Sequence, residues 1–244
     1  MKSISMRKLM AISEVKGKAL FSKNFIIMPI FSIGFAFVMK LVYGSMAGDE
    51  AGNLSGYVLS IGVVMNICMS GIYCVAASLA EEKEKNTLRT LMTSSVNGLE
   101  FFLGSLIPVI GMMIVVNVIL VFVTQMSLTA MQWFIYLLIS TLASITGGIV
   151  GMIFGIFAKN QVSASTMTTP ALLVLMMIPM FSGFNEVVEK ISQCLFTGIV
   201  MDVIGDFTGG IASIDIVSLM ILIVEIIASI LIFLYLYKKN GFEA

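Results

Sequence analysis

The chain has 244 residues, 59% of them hydrophobic and only 11% charged, with a formal net charge of zero. That composition excludes a soluble domain of this size, and charges clustered between long uncharged runs place the chain in a lipid bilayer. The absence of histidine removes the commonest general base and metal ligand. Cys68, Cys74 and Cys194 show neither CxxC nor metal-ligand spacing. Cys68 and Cys74, inside an apolar run, read as buried and inert thiols.

Residues 1–24 are basic, with Lys2, Arg7, Lys8, Lys16, Lys18 and Lys23 against the single acid Glu14. Met6, Leu9 and Met10 share one helical face, as do Ile12, Val15 and Ala19. This spacing predicts an amphipathic helix lying in the membrane interface with its lysines among anionic headgroups; a solvated basic tail is the alternative. Six spans are then expected at about 25–43, 56–80, 101–124, 133–157, 166–181 and 216–237, each close to the roughly 20 residues that cross a hydrocarbon core. The first lacks a small-residue cleavage site and reads as a retained span, not a removed signal peptide. Trp133 is placed as an interfacial anchor, and Pro170 and Pro179 are expected to bend or end the fifth span. The whole of 1–244 reads as one transmembrane domain.

Between the second and third spans lies a polar island, 81–100. It opens with five consecutive charges, Glu81, Glu82, Lys83, Glu84 and Lys85, and Arg89 follows. Leu88, Leu91 and Met92 then fall on one helical face, so a short helix with an apolar side in need of a partner is expected. Twelve of the fourteen cations lie in the amino-terminal segment, this island, the Lys159 loop and the carboxyl-terminal tail. Lys40 and Lys190 are the other two. That asymmetry predicts both termini and the 81–100 loop in the cytoplasm.

The fourth span carries Gly147, Gly151 and Gly155 at four-residue intervals, with Gly148 alongside. Such a column lets a second helix approach closely, either within the subunit or at a dimer seam. In 182–215, Val188, Ile191, Leu195, Ile199 and Val203 recur at three or four residues. Asp202, Asp206 and Asp215 interrupt the pattern, and Gly198, Gly205, Gly209 and Gly210 are expected to break the helix. One or two short helices tucked into the outer leaflet are predicted, since irregular backbone at that depth needs shielding by protein or a wet cavity. A surface amphipathic helix is the alternative.

No GxxxxGK[ST] or GxSxG motif occurs, and no acidic pair lies beside a plausible base, so no catalytic residue, resident cofactor or metal site is expected. Glu225 lies about nine residues into the sixth span, and an intramembrane carboxylate is a functional candidate by default. A protonated or hydrogen-bonded structural group, a substrate ligand and a pair with Lys40 are the readings open for it. Asn66 and Asn117 read as interhelical hydrogen-bonding groups. The twenty methionines and seventeen phenylalanines either line an adaptable path or face lipid.

Six spans, a basic amphipathic elbow helix and an acid-rich first cytoplasmic loop together resemble the permease subunits of type-2 ABC (ATP-binding cassette) exporters, over nearly the whole chain. The best local match is Glu82-Lys83-Glu84-Lys85-Asn86-Thr87-Leu88, with Leu91 to follow; Asn86 stands where the family has glycine. Ser94-Ser95-Val96 is similar to the family's small-Pro-Val stretch without its proline. Gly104-Ser105 stands where Gly-Lys is common. The segment from Pro179 through Ser182-Gly183 resembles the outer re-entrant helices. The resemblance implies an all-α permease with a cytoplasmic coupling helix, whose docking contacts on the ATPase would be Glu82, Glu84, Thr87, Leu88, Leu91 and Met92. It implies partner ATPase subunits that bind ATP and Mg, a second or sister permease, lipids and an amphipathic cargo (a peptide such as an antimicrobial or cytolytic one, a lipid or a drug). No nucleic acid is expected. It further implies a multi-pass protein of a bacterial plasma membrane. A non-pumping scaffold or immunity protein that binds a peptide, and an ion-coupled secondary transporter, are the other functional readings.

Overall fold

The computed structural model describes residues 5–20, 25–46, 51–85 and 98–239, and all regular structure among them is helical. Helix α1 (Met6–Leu20) precedes α2 (Ile27–Met46). The next rod has three parts: α3 (Ala51–Asn66), a π-helical segment (Ile67–Tyr73) and α4 (Cys74–Glu84). Then come α5 (Gly98–Thr124), α6 (Ala130–Phe157), α7 (Gln161–Met180), a 3-10 turn (Ser182–Phe184), α8 (Glu186–Ser192), α9 (Phe196–Thr208) and α10 (Ile216–Lys239). Among the described residues six stretches are long and apolar enough to cross a membrane: Ile27–Gly44, Leu54–Glu84, Glu100–Thr124, Ala130–Phe157, Gln161–Met180 and Ile216–Lys239. The chain is an all-α, multi-pass membrane protein.

Local chemistry explains several boundaries. A capping box opens α6: the Thr129 hydroxyl accepts from the Gln132 N–H at 3.3 Å, and Gln132 Oε1 accepts from the Thr129 N–H at 2.9 Å. Asn160 caps α7 by accepting from the Ser163 N–H at 2.8 Å, and Asn185 caps α8 by accepting from the Val187 N–H at 2.8 Å. Helix α7 therefore starts before Thr166 and runs through Pro170; it stops just after Pro179, with Phe181 as its C-cap. Pro170 lies inside this helix without ending it, and hydroxyls of the preceding turn bond back to the backbone, as Thr169 Oγ1 does by donating to the Ser165 carbonyl at 2.7 Å. The 182–215 segment also departs from expectation in detail. Gly198 and Gly205 lie inside α9, and the helix ends instead at Gly209 and Gly210. Two glycines seven apart do not interrupt a helix whose apolar face is otherwise buried, as Ile199, Val203, Ile204 and Phe207 are here.

The second span is the axis of the bundle. Of its apolar stretch 89% is buried, against 17% for the first and last spans. Helices α2, α5, α6, α7 and α9 all pack on this rod. The glycine column on α6 makes its closest contact possible. A Cβ at Gly151 would lie 2.6 Å from the carbonyl oxygens of both Gly71 and Ile72; one at Gly147 would lie 2.8 Å from Ile67, and one at Gly155 2.8 Å from Leu79. The column thus packs α6 against the rod within the subunit. Lipid offers little hydrophobic drive between helices, so this backbone approach is what van der Waals packing requires. The π segment adds to it. The Cys74 N–H bonds to the Met69 carbonyl, five residues back, and the widened turn presents the Gly71 and Ile72 carbonyls to α6.

Candidate functional site

Four charged side chains organise the end of the bundle where α4 and α5 flank residues 86–97. Lys16 of α1 is buried, ion-paired with Glu82 of α4, and sits 4.8 Å above the Phe101 ring of α5. Burial holds the Lys16 ammonium below its ordinary pKa, while the Glu82 carboxylate pulls in the other direction. Lys83 turns the opposite way. Its ammonium donates to the carbonyls of Gly155, Ile156 and Ala158, the last turn of α6, where a cation meets both free acceptors and the negative end of the helix dipole. Buried Glu100, at the start of α5, accepts from the Ser5 N–H at 2.7 Å and so holds the beginning of α1. Glu81 pairs with Lys85 one turn away. Both flanks of 86–97 are therefore fixed to α1, and one of them also to α6.

The expected docking residues distribute unevenly over this site. Glu82, expected on the partner-facing rim, turns inward to Lys16, because a buried ammonium needs a carboxylate more than an exposed rim does. Glu84 is exposed on the last turn of α4. Thr87, Leu88, Leu91 and Met92 lie outside the described residues. The lysines expected among headgroups also divide: Lys18 is exposed and pairs with Glu14, whereas Lys16 belongs to the interior.

At mid-bundle a polar cluster sits where the rod changes to π geometry. Asn66 Nδ2 donates to Asn117 Oδ1 at 2.8 Å and to the Met113 carbonyl at 3.1 Å; Ser70 Oγ donates to Asn66 Oδ1 at 2.9 Å. Tyr136 Oη donates to the Asn117 carbonyl at 2.7 Å. Asn66, Asn117, Ser70 and Tyr136 are all fully buried, so the cluster joins the second, third and fourth spans away from any surface.

At the far end, α9 is tucked against α3 and α6. Gln132 Nε2 donates to the Phe207 carbonyl at the end of α9 at 3.2 Å, and Oε2 of Glu225 on α10 is buried with no hydrogen-bond partner among the described residues. No ion pair links Glu225 to Lys40 among the described residues. Beside α9 opens a cleft of about 1090 Å³. Its walls carry Glu189, Asp202, Asp206, Asp215 and Lys190, and an apolar side includes Met180, Phe184 and Ile221. Desolvation by those walls, with Asp206 and Glu189 close by, raises the Asp202 pKa to about 6.

The model of the ABC-2 family transporter protein matches residues 39–235. The chain belongs to this family. It is a permease subunit of an ABC transporter, a non-catalytic class of membrane subunit that works with an ABC ATPase. No curated protein sequence matches the chain.

Several groups of this permease were not singled out from sequence. Lys16 could have been: it falls four residues after Ile12 and four before Leu20, and a lysine on a stripe that buries both neighbours is a lysine with a partner. Glu100 and Gln132 each stand at the first turn of a span, where polar residues are unremarkable. The π segment has no distinguishing pattern in Ile67–Tyr73.

Proposed function

We propose that this permease forms the translocation path of an ATP-driven exporter in a bacterial plasma membrane, with both termini and residues 81–100 in the cytoplasm. Separate ATPase subunits bind ATP and Mg and dock on 86–97, with Leu88, Leu91 and Met92 as the apolar anchor and Thr87 and Glu84 at the rim. A second permease, identical or sister, completes the path. The observation that carries this reading is the fixing of both flanks of 86–97. Force applied there reaches the second span through α4, the third through α5 and Glu100, the fourth through Lys83, and α1 through Lys16. A short docking element tied to three spans acts as a lever for rigid-body tilting.

The cleft beside α9 supports a reading of the cargo class. A lining that combines four acids and one lysine with apolar side chains suits an amphipathic molecule that carries positive charge, such as a cationic peptide, lipid or drug. The test is reconstitution with an ABC ATPase co-expressed from the same gene neighbourhood. Leu88→Asp with Leu91→Asp is expected to abolish complex formation and permease-stimulated ATP hydrolysis. Retention of both in the double variant would remove the docking assignment.

A further inference from the structure

Sharp kinks in long helices come mostly from a proline, from neighbouring glycines or serines, or from a π turn. The second, third and fourth spans carry one of these each. The π segment Ile67–Tyr73 interrupts the rod. Pro108 lies inside α5 and removes the hydrogen bond that the Gly104 carbonyl would accept. Gly147 and Gly148 are adjacent in α6. Contacts place all three at one level of the bundle. A Cβ at Gly71 would stand 2.9 Å from Met113 Cε, one at Gly147 2.8 Å from Ile67, and one at Gly148 3.0 Å from Leu106, two residues before the proline. Val75 and Val109 wall the same small void, about 20 Å³, so packing at this level is incomplete.

The polar bonds between elements sort to either side of that level. On one side Asn66 reaches Asn117 and the Met113 carbonyl, and Tyr136 reaches the Asn117 carbonyl. On the other, Lys16 pairs with Glu82, Glu100 accepts from the Ser5 N–H, and Lys83 holds the last turn of α6. Helix α1 lies along α5 up to the proline: Ser5 meets Glu100, Ile12 meets Gly104, and a Cβ at Gly17 would lie 3.8 Å from the Pro108 Cβ. From Glu84 back to Cys74 and from Gly98 on to Pro108 the count is ten residues each, about 15 Å. The two arms that leave 86–97 are thus equal in length and end at the same level.

We propose that this level is a hinge. Helix α1, α4, the part of α5 before Pro108 and the end of α6 move as one body, and the three spans bend at 67–73, 108 and 147–148 instead of tilting whole. The polar cluster around Asn66 and Asn117 holds the other body together. The hinge is a property of the chain itself; that an ATPase drives it through 86–97 rests on the function proposed above.

Spin-label distances in the purified permease in lipid nanodiscs test it, with Cys194→Ser removing the exposed native thiol. Lys18→Cys reports the body that holds α1, and Phe122→Cys the end of α5 beyond the hinge; both positions are exposed. Lys18→Cys with Lys159→Cys, also exposed, stays on one side and is the reference. A change of about 20° at a kink moves the end of an arm of about 15 Å by about 5 Å. The 18–122 distribution is therefore expected to be about 5 Å broader than the 18–159 one. Pro108→Ala returns a donor to α5 and is expected to narrow it to the reference width. An 18–122 distribution as narrow as the reference, or one unchanged by Pro108→Ala, overturns the hinge. Should Pro108→Ala not fold, the wild-type comparison decides alone. In the complex with the ATPase, ATP in place of ADP is expected to shift the 18–122 distance and leave 18–159 fixed. Equal shifts in both pairs overturn the single moving body. A broad 18–122 distribution that ignores ATP counts against the proposed function and not against the hinge.

Discussion

The two ends of the bundle are joined by the same kind of chemistry at different strengths. At the end that flanks 86–97, full charges do the joining: Lys16 to Glu82, Lys83 to the last turn of α6, Glu100 to the start of α1. At the other end α9 is held by hydrogen bonds from one neutral amide, that of Gln132, beside an open cleft. Breaking one partner of a buried ion pair costs about 3–5 kcal/mol, because a charge is left without a counterpart. Losing a neutral hydrogen bond of that kind costs about 1 kcal/mol. The first end is therefore the stiffer one and suits a handle that must transmit force. The second is softer, in keeping with the cargo surface proposed above.

The strongest way to break that contrast is to remove Lys16. Lys16→Met leaves Glu82 without its ammonium and is expected to lower resistance to unfolding in detergent by about 3–5 kcal/mol. Replacing both partners, Lys16→Met with Glu82→Leu, is expected to recover most of that loss, because two apolar side chains of similar volume need no counterpart. An equal loss in the single and double variants would mean that the pair does not act as a unit. The contrast would then rest on packing of α1 against α5 alone, where a Cβ at Gly104 would already stand 2.8 Å from Ile12.

The six spans were legible because each is an apolar run set off by charges or, between the third and fourth, by the uncharged polar turn at 125–130, and the bilayer allows few other arrangements for such runs. The glycine column and the buried asparagines were legible for the same reason: small and polar residues inside a span have few uses there. The partners were not. Glu225 stood out as an intramembrane acid, yet its Oε2 is buried with no hydrogen-bond partner among the described residues. Glu82 was read with its neighbours as one charged rim. Helical geometry separates them, since Glu82 and Lys83 project about 100° apart and reach α1 and α6 respectively. The glycines of 182–215 misled in the other direction, because a glycine is a breaker only where nothing packs the helix around it.

A smaller effect is expected at the soft end. Gln132 serves two helices at once: Oε1 completes the capping box of α6, and Nε2 holds the Phe207 and Ile211 carbonyls. Gln132→Leu is expected to cost about 1–2 kcal/mol, a cap and a shared hydrogen bond. Exchange should quicken in peptides covering 204–211 while those covering 76–84 at the other end stay protected. Equal quickening at both ends would show that the bundle loosens as one body and that the contrast is not real.

The smallest expected effect is a pH dependence confined to the cleft. Asp202 faces it together with Glu189, Asp206, Asp215 and Lys190, and its pKa rises from 3.8 to about 6 through desolvation, then Asp206 and Glu189. A raised carboxyl pKa means that the fold favours the neutral form. Its contribution to stability is complete below pH 3.8 and is lost as pH rises through about 6. Asp202 opens to water in the cleft, so screening keeps that contribution small. Thermal unfolding of the permease between pH 4 and 8 is expected to show the wild type losing stability relative to Asp202→Asn as pH rises through this window. The difference should shrink in high salt as the repulsion from Asp206 and Glu189 is screened. A difference that runs the other way would mean that Asp202 is held ionised by a cation, with Lys190 the charge on the cleft wall able to do so, and the proposal of positively charged cargo would lose its support.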